Sequence, residues 1–505
     1  MSRSAADAYD QLLGRTREVS LLASCGSVLG WDEATYMPHK GSAFRGEQMA
    51  LLARMGHELA TDPVVGDWLR QVEASDLLAD PEGDAAVNVR EIRRAYDRAV
   101  KVPAALVAEI ARVTTQAQQS WREARQRSKF ALFEKDLRTI VQLLRDKADA
   151  IGHDNCRYDA LLDEYEPGAR AADLTKVFAQ LRSELVPLLE QIRGSTRHPD
   201  VTLLQRDFPV ERQKVFGEAA AAALGFDFEA GRLDVSTHPF CSGIGPGDTR
   251  MTTRYNPRQF NESFFGVLHE TGHGLYDQGL PPEHVGTPRG SFCSLGIHES
   301  QSRLWENQVG RGRPFWEHFF PRLQQTFPTS LAGVSLDDWH FAINHVSPSF
   351  IRVEADEATY NLHIILRFEI EQALLTGDLD VADLPAAWND KFQKMFGLRV
   401  ESDSQGCLQD IHWSFAGLGY FPPYTLGNLY SAQFMHAVRR DLPTLDADIR
   451  RGDFTGLRRW LLEKIHRQGQ RFRAGELCRR ITAAPLDHRP LMSYLREKYA
   501  PLYGF

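Results

Sequence analysis

The chain has 505 residues, 43% of them hydrophobic and 25% charged, with a net charge of −8. Those proportions belong to a soluble globular protein, and the acidic balance excludes the basic face or tail of an electrostatic nucleic-acid binder. No apolar run reaches the ~18 residues of a membrane span, so no bilayer partner is expected. The N-terminal stretch MSRSAADAYDQLLGRTREVS has no basic region followed by an apolar one, so no secretory signal is expected. Six scattered cysteines form no CxxC pair, which argues against a zinc ribbon or a disulfide framework and makes the cytoplasm the expected compartment.

In chain order, most elements are expected to be helical. Residues 10–31 carry Leu12, Leu13, Val19, Leu22 and Val28 at helical spacing. Residues 125–152 continue the pattern and end at Gly152, a C-cap candidate. The next helix is expected to start with Asp173 as N-cap and stop at Gly194. The alanine-rich run 217–226 reads as a tightly packed helix, too short and small-residued for a membrane. Residues 231–255 hold the best strand signals. Val235 and Thr237 precede a Pro–Gly-rich turn, and alternating Thr, Arg and Tyr follow, which predicts a hairpin or small sheet. Further helices are expected over 357–377 and 452–470. There is no strand–helix–strand rhythm, no internal repeat and no linker, so one large unit is favoured over three domains.

Within FFGVLHETGHGLYDQGL, His269 and His273 stand four apart. On a helix that spacing puts both imidazoles on one face. Glu270 lies about 100° round, placed to reach a water beside a metal rather than the metal itself, which is the logic of the HExxH pattern. Phe260, Phe264, Val267, Leu268 and Leu275 supply the apolar positions, with Asn261 as cap, or Asn256 with Pro257 at the first helical position. With 17 histidines in the chain, a chance match or a satisfied core pair competes with this reading.

A catalytic zinc needs a third protein ligand and an open position. The extended HExxHxxGxxH form is excluded, because Tyr276 and Gly279 stand where Gly and His would be. Glu299, in SLGIHESQSRLWENQ, is the favoured third ligand, on a second helix capped by Ser294 and buried through Leu295, Leu304 and Trp305. Glu283 and His284 are nearer but lie in a Pro-rich loop. A solvated surface carboxylate is the plain alternative for Glu299.

Six motifs then occur in order: HPF (238–240), DTRMT (248–252), HETGH, HESQ (298–301), IRVEADEATY (351–360) and GCLQDIHW (406–413). With WDEATYMPHKGSAFRGEQ upstream, this set resembles the carboxypeptidase Taq family over about residues 30–435. The resemblance implies a mainly α, saddle-like single unit with a deep groove, the metal at its floor and a small β-sheet near 231–255. Within 1–505 the parts are a helical portion to about 230, a catalytic portion over about 231–435, and terminal helices over about 436–505. It implies a broad-specificity carboxypeptidase that acts on peptides with a free C-terminus. Zinc is the usual metal, cobalt also works, and the family's members are typically homodimers.

Arg352 matches the family's anchor for the terminal carboxylate, a task suited to the planar guanidinium fork. An ordinary salt bridge to Glu354, Asp356 or Glu357 is the alternative. Oxyanion donors are sought in the Gly- and Pro-rich 409–427 loop, which presents His412, Tyr420 and Tyr424. Core packing of these tyrosines is nearly as good a reading. His238 and Arg250 match groove-lining positions of the family, and a structural turn beside Pro239 serves equally for His238. Two rivals stay open: an endo-acting oligopeptidase on the same architecture, and a non-enzymatic helical scaffold with a closed metal site, for which Cys293 is the only cysteine near in sequence.

Overall fold

The computed structural model describes residues 4–505. Helices run where the periodicity places them, with several bounds shifted. The first covers Ala5–Thr35, and Ser4 caps it by accepting from the Asp7 amide. The helix expected over 125–152 is two helices. Ala104–Gln126 ends at a turn where Ser128 takes φ 48°, and Glu134–Ile151 begins afresh beyond it. The break buries Phe130 and Phe133, and the Phe130 amide donates to Asp403 at 2.8 Å. Gly152 closes the second helix at φ 95°, as expected. Asp173 is not the N-cap; the helix starts at Ala171, so Asp173 sits in its first turn, where a carboxylate still faces the exposed amides. Gly377 ends the helix Tyr360–Thr376 in the left-handed region.

The small sheet has three strands: β1 (Gly231–Val235), β2 (Cys241–Gly245) and β3 (Asp248–Thr253), in the order β1-β3-β2. β2 and β3 form the antiparallel hairpin across Pro246–Gly247, with an irregular register between Gly243 and Gly245. β1 returns parallel to β3, pairing Arg232 with Arg250.

Behind the sheet runs the central helix, Phe260–Gly279. Neither Asn261 nor Asn256 with Pro257 caps it. Gln259 occupies that position with no side-chain bond, while Asn256 turns the chain just before it by accepting from the Arg258 amide. The helix starts inside an aromatic cluster, with Phe260 and Phe264 stacked at 5.1 Å and Trp316 and Trp339 against them. Phe260, Phe264, Phe265, Val267 and Leu268 make a buried apolar stripe along that first half, while Asn261 and Glu262 are only half-buried.

Ser294 caps the next helix, Leu295–Arg303, as expected, accepting from the Ile297 amide. The chain continues without a break into a π-helical turn, Leu304–Val309. Two glycines let backbones meet here. A Cβ on Gly272 would lie 2.5 Å from the Gln301 carbonyl oxygen, and one on Gly427 would lie 2.3 Å from Glu299 Cγ. The helix Leu295–Arg303 is therefore clamped between the central helix and Pro422–Asp441.

One continuous apolar core runs from Val113 to Tyr503. A separate small cluster, including Leu12, Trp68, Leu69 and Val72, holds the N-terminal helices together. Those helices meet the sheet through polar and aromatic groups, with Tyr36 donating to Asp234 at 2.7 Å and Trp31 lying under Arg250. Among the described residues, no helix is long and apolar enough to cross a membrane.

Candidate active site

His269 and His273 project from one face of the central helix, and Glu299 comes up to them from the antiparallel return. Glu299 Oε2 lies 3.7 Å from His269 Nε2 and 3.5 Å from His273 Nε2. Among the described residues these three form a group whose ligand atoms all lie within 4.8 Å of one another. Two imidazole nitrogens and one carboxylate oxygen are a donor set that suits zinc, with room for a further ligand. Cys293 is not part of it; its thiol points to the Phe472 carbonyl at 3.2 Å. His284 pairs instead with Asp84 on the N-terminal helices.

A second layer of side chains orients these three candidate donors. Glu306, on the π-helical turn, meets His269 Nδ1 at 2.9 Å, leaving Nε2 to face Glu299. His298 contacts His273 Nδ1 and is in turn held by Asp277 at 3.0 Å. Arg303 bonds both acids, reaching Glu299 Oε1 at 2.7 Å and Glu306 at 3.1 Å. Burial raises the pKa of Glu299, but Arg303, His269 and His273 outweigh it and hold the carboxyl well below its usual range. Burial likewise opposes ionisation of Glu306, and Arg303 and His269 still bring it down to about 2. Burial pushes the His273 pKa down to about 4, with His298 adding to the effect, so it is a neutral donor at pH 7.

Glu270 is 5% exposed, and burial pushes its pKa up to about 7, opposed by His269 and reinforced by Glu299 and Glu306. A carboxyl poised near neutrality beside a metal-ligand group has the properties of a general base.

A second cluster forms around Arg352, and its partner is none of the three acids near it in sequence. Arg352 opens a single 3-10 turn, Arg352–Glu354. Its Nε and NH2 donate to Asp410 Oδ1 at 3.1 and 2.8 Å, and its NH1 donates to the Tyr360 hydroxyl at 2.9 Å. Glu357 is taken by Lys498 at 2.6 Å, and Asp356 accepts from the Ala358 and Thr359 amides in the turn before the following helix. Asp410 also accepts from Arg367 at 2.7 Å, so two buried guanidiniums share one carboxylate. Glu371, within electrostatic reach of Arg367, spends its oxygens on Tyr158, Trp413 and the Gly419 amide.

Tyr420, Tyr424 and His412 lie in this second cluster. The Arg352 guanidinium sits 5.1 Å from the Tyr424 ring centre, and the His412 ring is 5.1 Å from Tyr420. Burial, opposed by Arg352 and reinforced by Tyr420, Tyr360 and Glu299, raises the pKa of Tyr424 well above its ordinary value, which keeps the phenol protonated. Burial brings the His412 pKa to about 4, against Asp410 and with Arg352 and Arg367. All three are neutral donors at pH 7.

His238 and Arg250 stand apart, on the sheet. His238 is exposed between β1 and β2, its carbonyl accepting from Ser236 at 2.6 Å. Arg250 is spent on Asp248, at 2.8 Å for each of two bonds, and on the Trp31 ring at 4.3 Å.

Sequence reasoning did not single out Glu306, Arg303, His298, Asp277, Tyr360 or Asp410. Arg303 and Glu306 follow Glu299 by four and seven residues, the spacing of one helix face, and that was a usable signal. Tyr360 and Asp410 lay inside stretches already marked, IRVEADEATY and GCLQDIHW.

Three comparisons bear on these two clusters. The family model for the carboxypeptidase Taq (M32) metallopeptidases matches residues 11–499. Thermostable carboxypeptidase 1 of Thermus thermophilus is 49% identical over 98% of this chain and 99% of its own length, and carboxypeptidase 1 of Bacillus subtilis is 36% identical over 96% and 97%. The crystal structure of the M32 carboxypeptidase from Deinococcus radiodurans R1 superposes with a TM-score of 0.96 at 40% identity, covering 99% of this chain and all of that one. The chain thus belongs to the carboxypeptidase Taq (M32) metallopeptidase family, and it is a metal-dependent carboxypeptidase.

Proposed function

We propose that His269, His273 and Glu299 hold the catalytic metal, that Glu270 is the general base, and that Arg352 anchors the terminal carboxylate of the peptide. The observation that carries the anchor assignment is the charge imbalance at Arg352. Two buried guanidiniums share the Asp410 carboxylate, and burial raises Glu371, the acid within reach of Arg367, to about 7, so the cluster keeps a positive charge in a weakly screened place, where it attracts an anion strongly. A peptide's free C-terminus supplies that anion, and a C-terminal amide does not.

Zinc, with cobalt as a substitute, is the proposed ion, on the strength of two imidazoles and one carboxylate whose donor atoms lie within 4.8 Å of one another. Such an ion supplies Lewis-acid polarisation of water and of the scissile carbonyl. Glu270 takes the proton of the attacking water at its carboxylate and passes it to the leaving amine. Tyr424, Tyr420 and His412 donate hydrogen bonds toward the developing oxyanion, an assignment supported by their neutral state and their place beside Arg352. Arg352 orients the C-terminal residue so that one residue is removed at a time. His238 and Arg250 belong to the groove wall on the sheet side, with no direct part in bond cleavage. Broad specificity is proposed on the same grounds, because the anchor reads a carboxylate common to all peptides.

The free thiols of all six cysteines support a reducing compartment, the cytoplasm. A homodimer is supported by an apolar face on the N-terminal helices, where Leu21 and Phe44 are each 66% exposed and Leu51 and Met55 lie on the same side of the second helix. Sedimentation at two protein concentrations tests it, and a chain that sediments as a monomer throughout contradicts it.

Mass spectrometry of peptide ladders tests the functional assignment. The wild type should trim free-acid peptides one residue at a time and leave their C-terminally amidated forms nearly intact. Equal cleavage of both would favour an endo-acting oligopeptidase.

A further inference from the structure

Tyr360 links the proposed metal ligands to the proposed anchor, with Arg303 against its ring and Arg352 at its hydroxyl. Arg303, which bonds Glu299 at 2.7 Å, lies with its guanidinium 4.6 Å from the centre of the Tyr360 ring. Arg352 donates to the Tyr360 hydroxyl at 2.9 Å. Tyr360 is 6% exposed, and it is the first residue of the helix Tyr360–Thr376. Its amide donates to the Asp356 carbonyl at 3.0 Å. The Arg352 amide donates to Gln409 at 2.8 Å, and Asp356 gathers the amides of Ser347, Ala358 and Thr359. Side chains with so many fixed partners have little freedom to change the spacing between their ends.

We propose that Tyr360 is a positioning residue that sets the distance between the metal ligand Glu299 and the carboxylate anchor Arg352, and so fixes the enzyme's one-residue register. This rests on the assignment of Arg352 and Glu299 made above. The face of the ring steadies Arg303 and through it Glu299; the hydroxyl holds one arm of Arg352. The two ends of the ring are chemically separable. A phenylalanine keeps the face and loses the hydroxyl, while a leucine loses both.

Tyr360→Phe should therefore keep wild-type metal content and lose anchor precision. On free-acid peptides its kcat should fall about 10- to 100-fold, the usual effect of losing a hydrogen bond to a charged group, with a smaller change in KM. The ratio of free-acid to amide cleavage should narrow at least tenfold, and free C-terminal dipeptides should be released beside single amino acids. Tyr360→Leu should add a weaker affinity for metal, read by titration with a chelator. Thermal melting confirms that each variant is folded; if Tyr360→Leu does not fold, Tyr360→Phe alone decides. A purely structural role would lower the melting temperature and leave register and acid–amide ratio untouched. Wild-type kcat, ratio and register in folded Tyr360→Phe overturn the proposal. Arg352→Ala, measured alongside, separates the failures. An unchanged acid–amide ratio in Arg352→Ala means the anchor assignment is wrong, whereas a collapsed ratio there with a normal one in Tyr360→Phe means only the positioning role is wrong.

Discussion

Glu270 and Glu299 both lie within electrostatic reach of His269, yet they are perturbed in opposite directions. Glu270 is pushed up to about 7, chiefly by burial, whereas Arg303 and the two histidines overcome burial at Glu299 and keep it ionised. Environment sets the two carboxylates apart in the way the proposed base and the proposed ligand require. Glu270→Gln should accordingly keep the metal and lose 10²–10⁴-fold or more in turnover, since the amide matches the shape but cannot accept a proton. A near-normal rate in that variant would place the base elsewhere. Arg352→Ala should lose about 2–5 kcal/mol of transition-state binding on free-acid peptides, the range for removing one partner of a buried charged pair. The loss should show in kcat/KM and in kcat, and Arg352→Lys should restore only part, because an ammonium lacks the fork. At this scale His269, Glu270, His273 and Glu299 were legible because helical spacing and a short return determine who meets whom. The partner of Arg352 was not. Asp410 lies 58 positions away, and periodicity carries no information about contacts of that range.

At the scale of elements, the site depends on how closely two helices approach. Gly272, between the two histidines, admits the backbone of Gln301 and Ser302. Gly272→Ala would drive a methyl to 2.5 Å from backbone atoms that cannot swing away. It should cost 1–3 kcal/mol or more in stability, as overpacking does, and should weaken metal binding by displacing Glu299; calorimetry and chelator titration check both. Glu166 pins the start of the same return helix, accepting from the Ser294 hydroxyl at 3.0 Å and the Gly296 amide at 2.9 Å. Burial raises its pKa to about 7, against the lowering effect of those two bonds. Its folded-state value thus exceeds the unfolded one, so the native chain holds this proton more tightly. The associated stability is complete below about pH 4.5 and declines as pH rises toward 7. Glu166→Gln should remove that decline, and denaturant midpoints of the two proteins at pH 5 and pH 7.5 measure it. Equal pH slopes would show that Glu166 does not titrate in that range. Among elements, the long helices and the hairpin were readable from periodicity and turn residues. The break at Ser128 and the π-helical turn at Leu304 were not, because tertiary burial of Phe130 and the reach of Glu306 to His269 dictate them.

Across the whole molecule, the apolar core is in two pieces, and the metal-site helices belong entirely to the larger one. A ligand that binds only the folded state stabilises the unit that holds it, by about 2.7 kcal/mol at a hundredfold excess over its dissociation constant. Removal of the metal should therefore lower the main calorimetric transition by several degrees and leave the melting of the N-terminal cluster in place. A single transition that shifts as one would mean the two cores unfold together. Length alone suggested several domains; the motifs in order suggested one unit; the division between the small cluster around Leu12 and Trp68 and the rest was visible in neither, since both stretches have the same helical periodicity. The most direct test of the account is elemental analysis of purified variants, paired with turnover. Wild type and Glu270→Gln should each carry about one metal ion per chain, with only the wild type active, while His273→Ala and Glu299→Ala should carry almost none. Full metal occupancy in His273→Ala or Glu299→Ala, or an active Glu270→Gln, would contradict it.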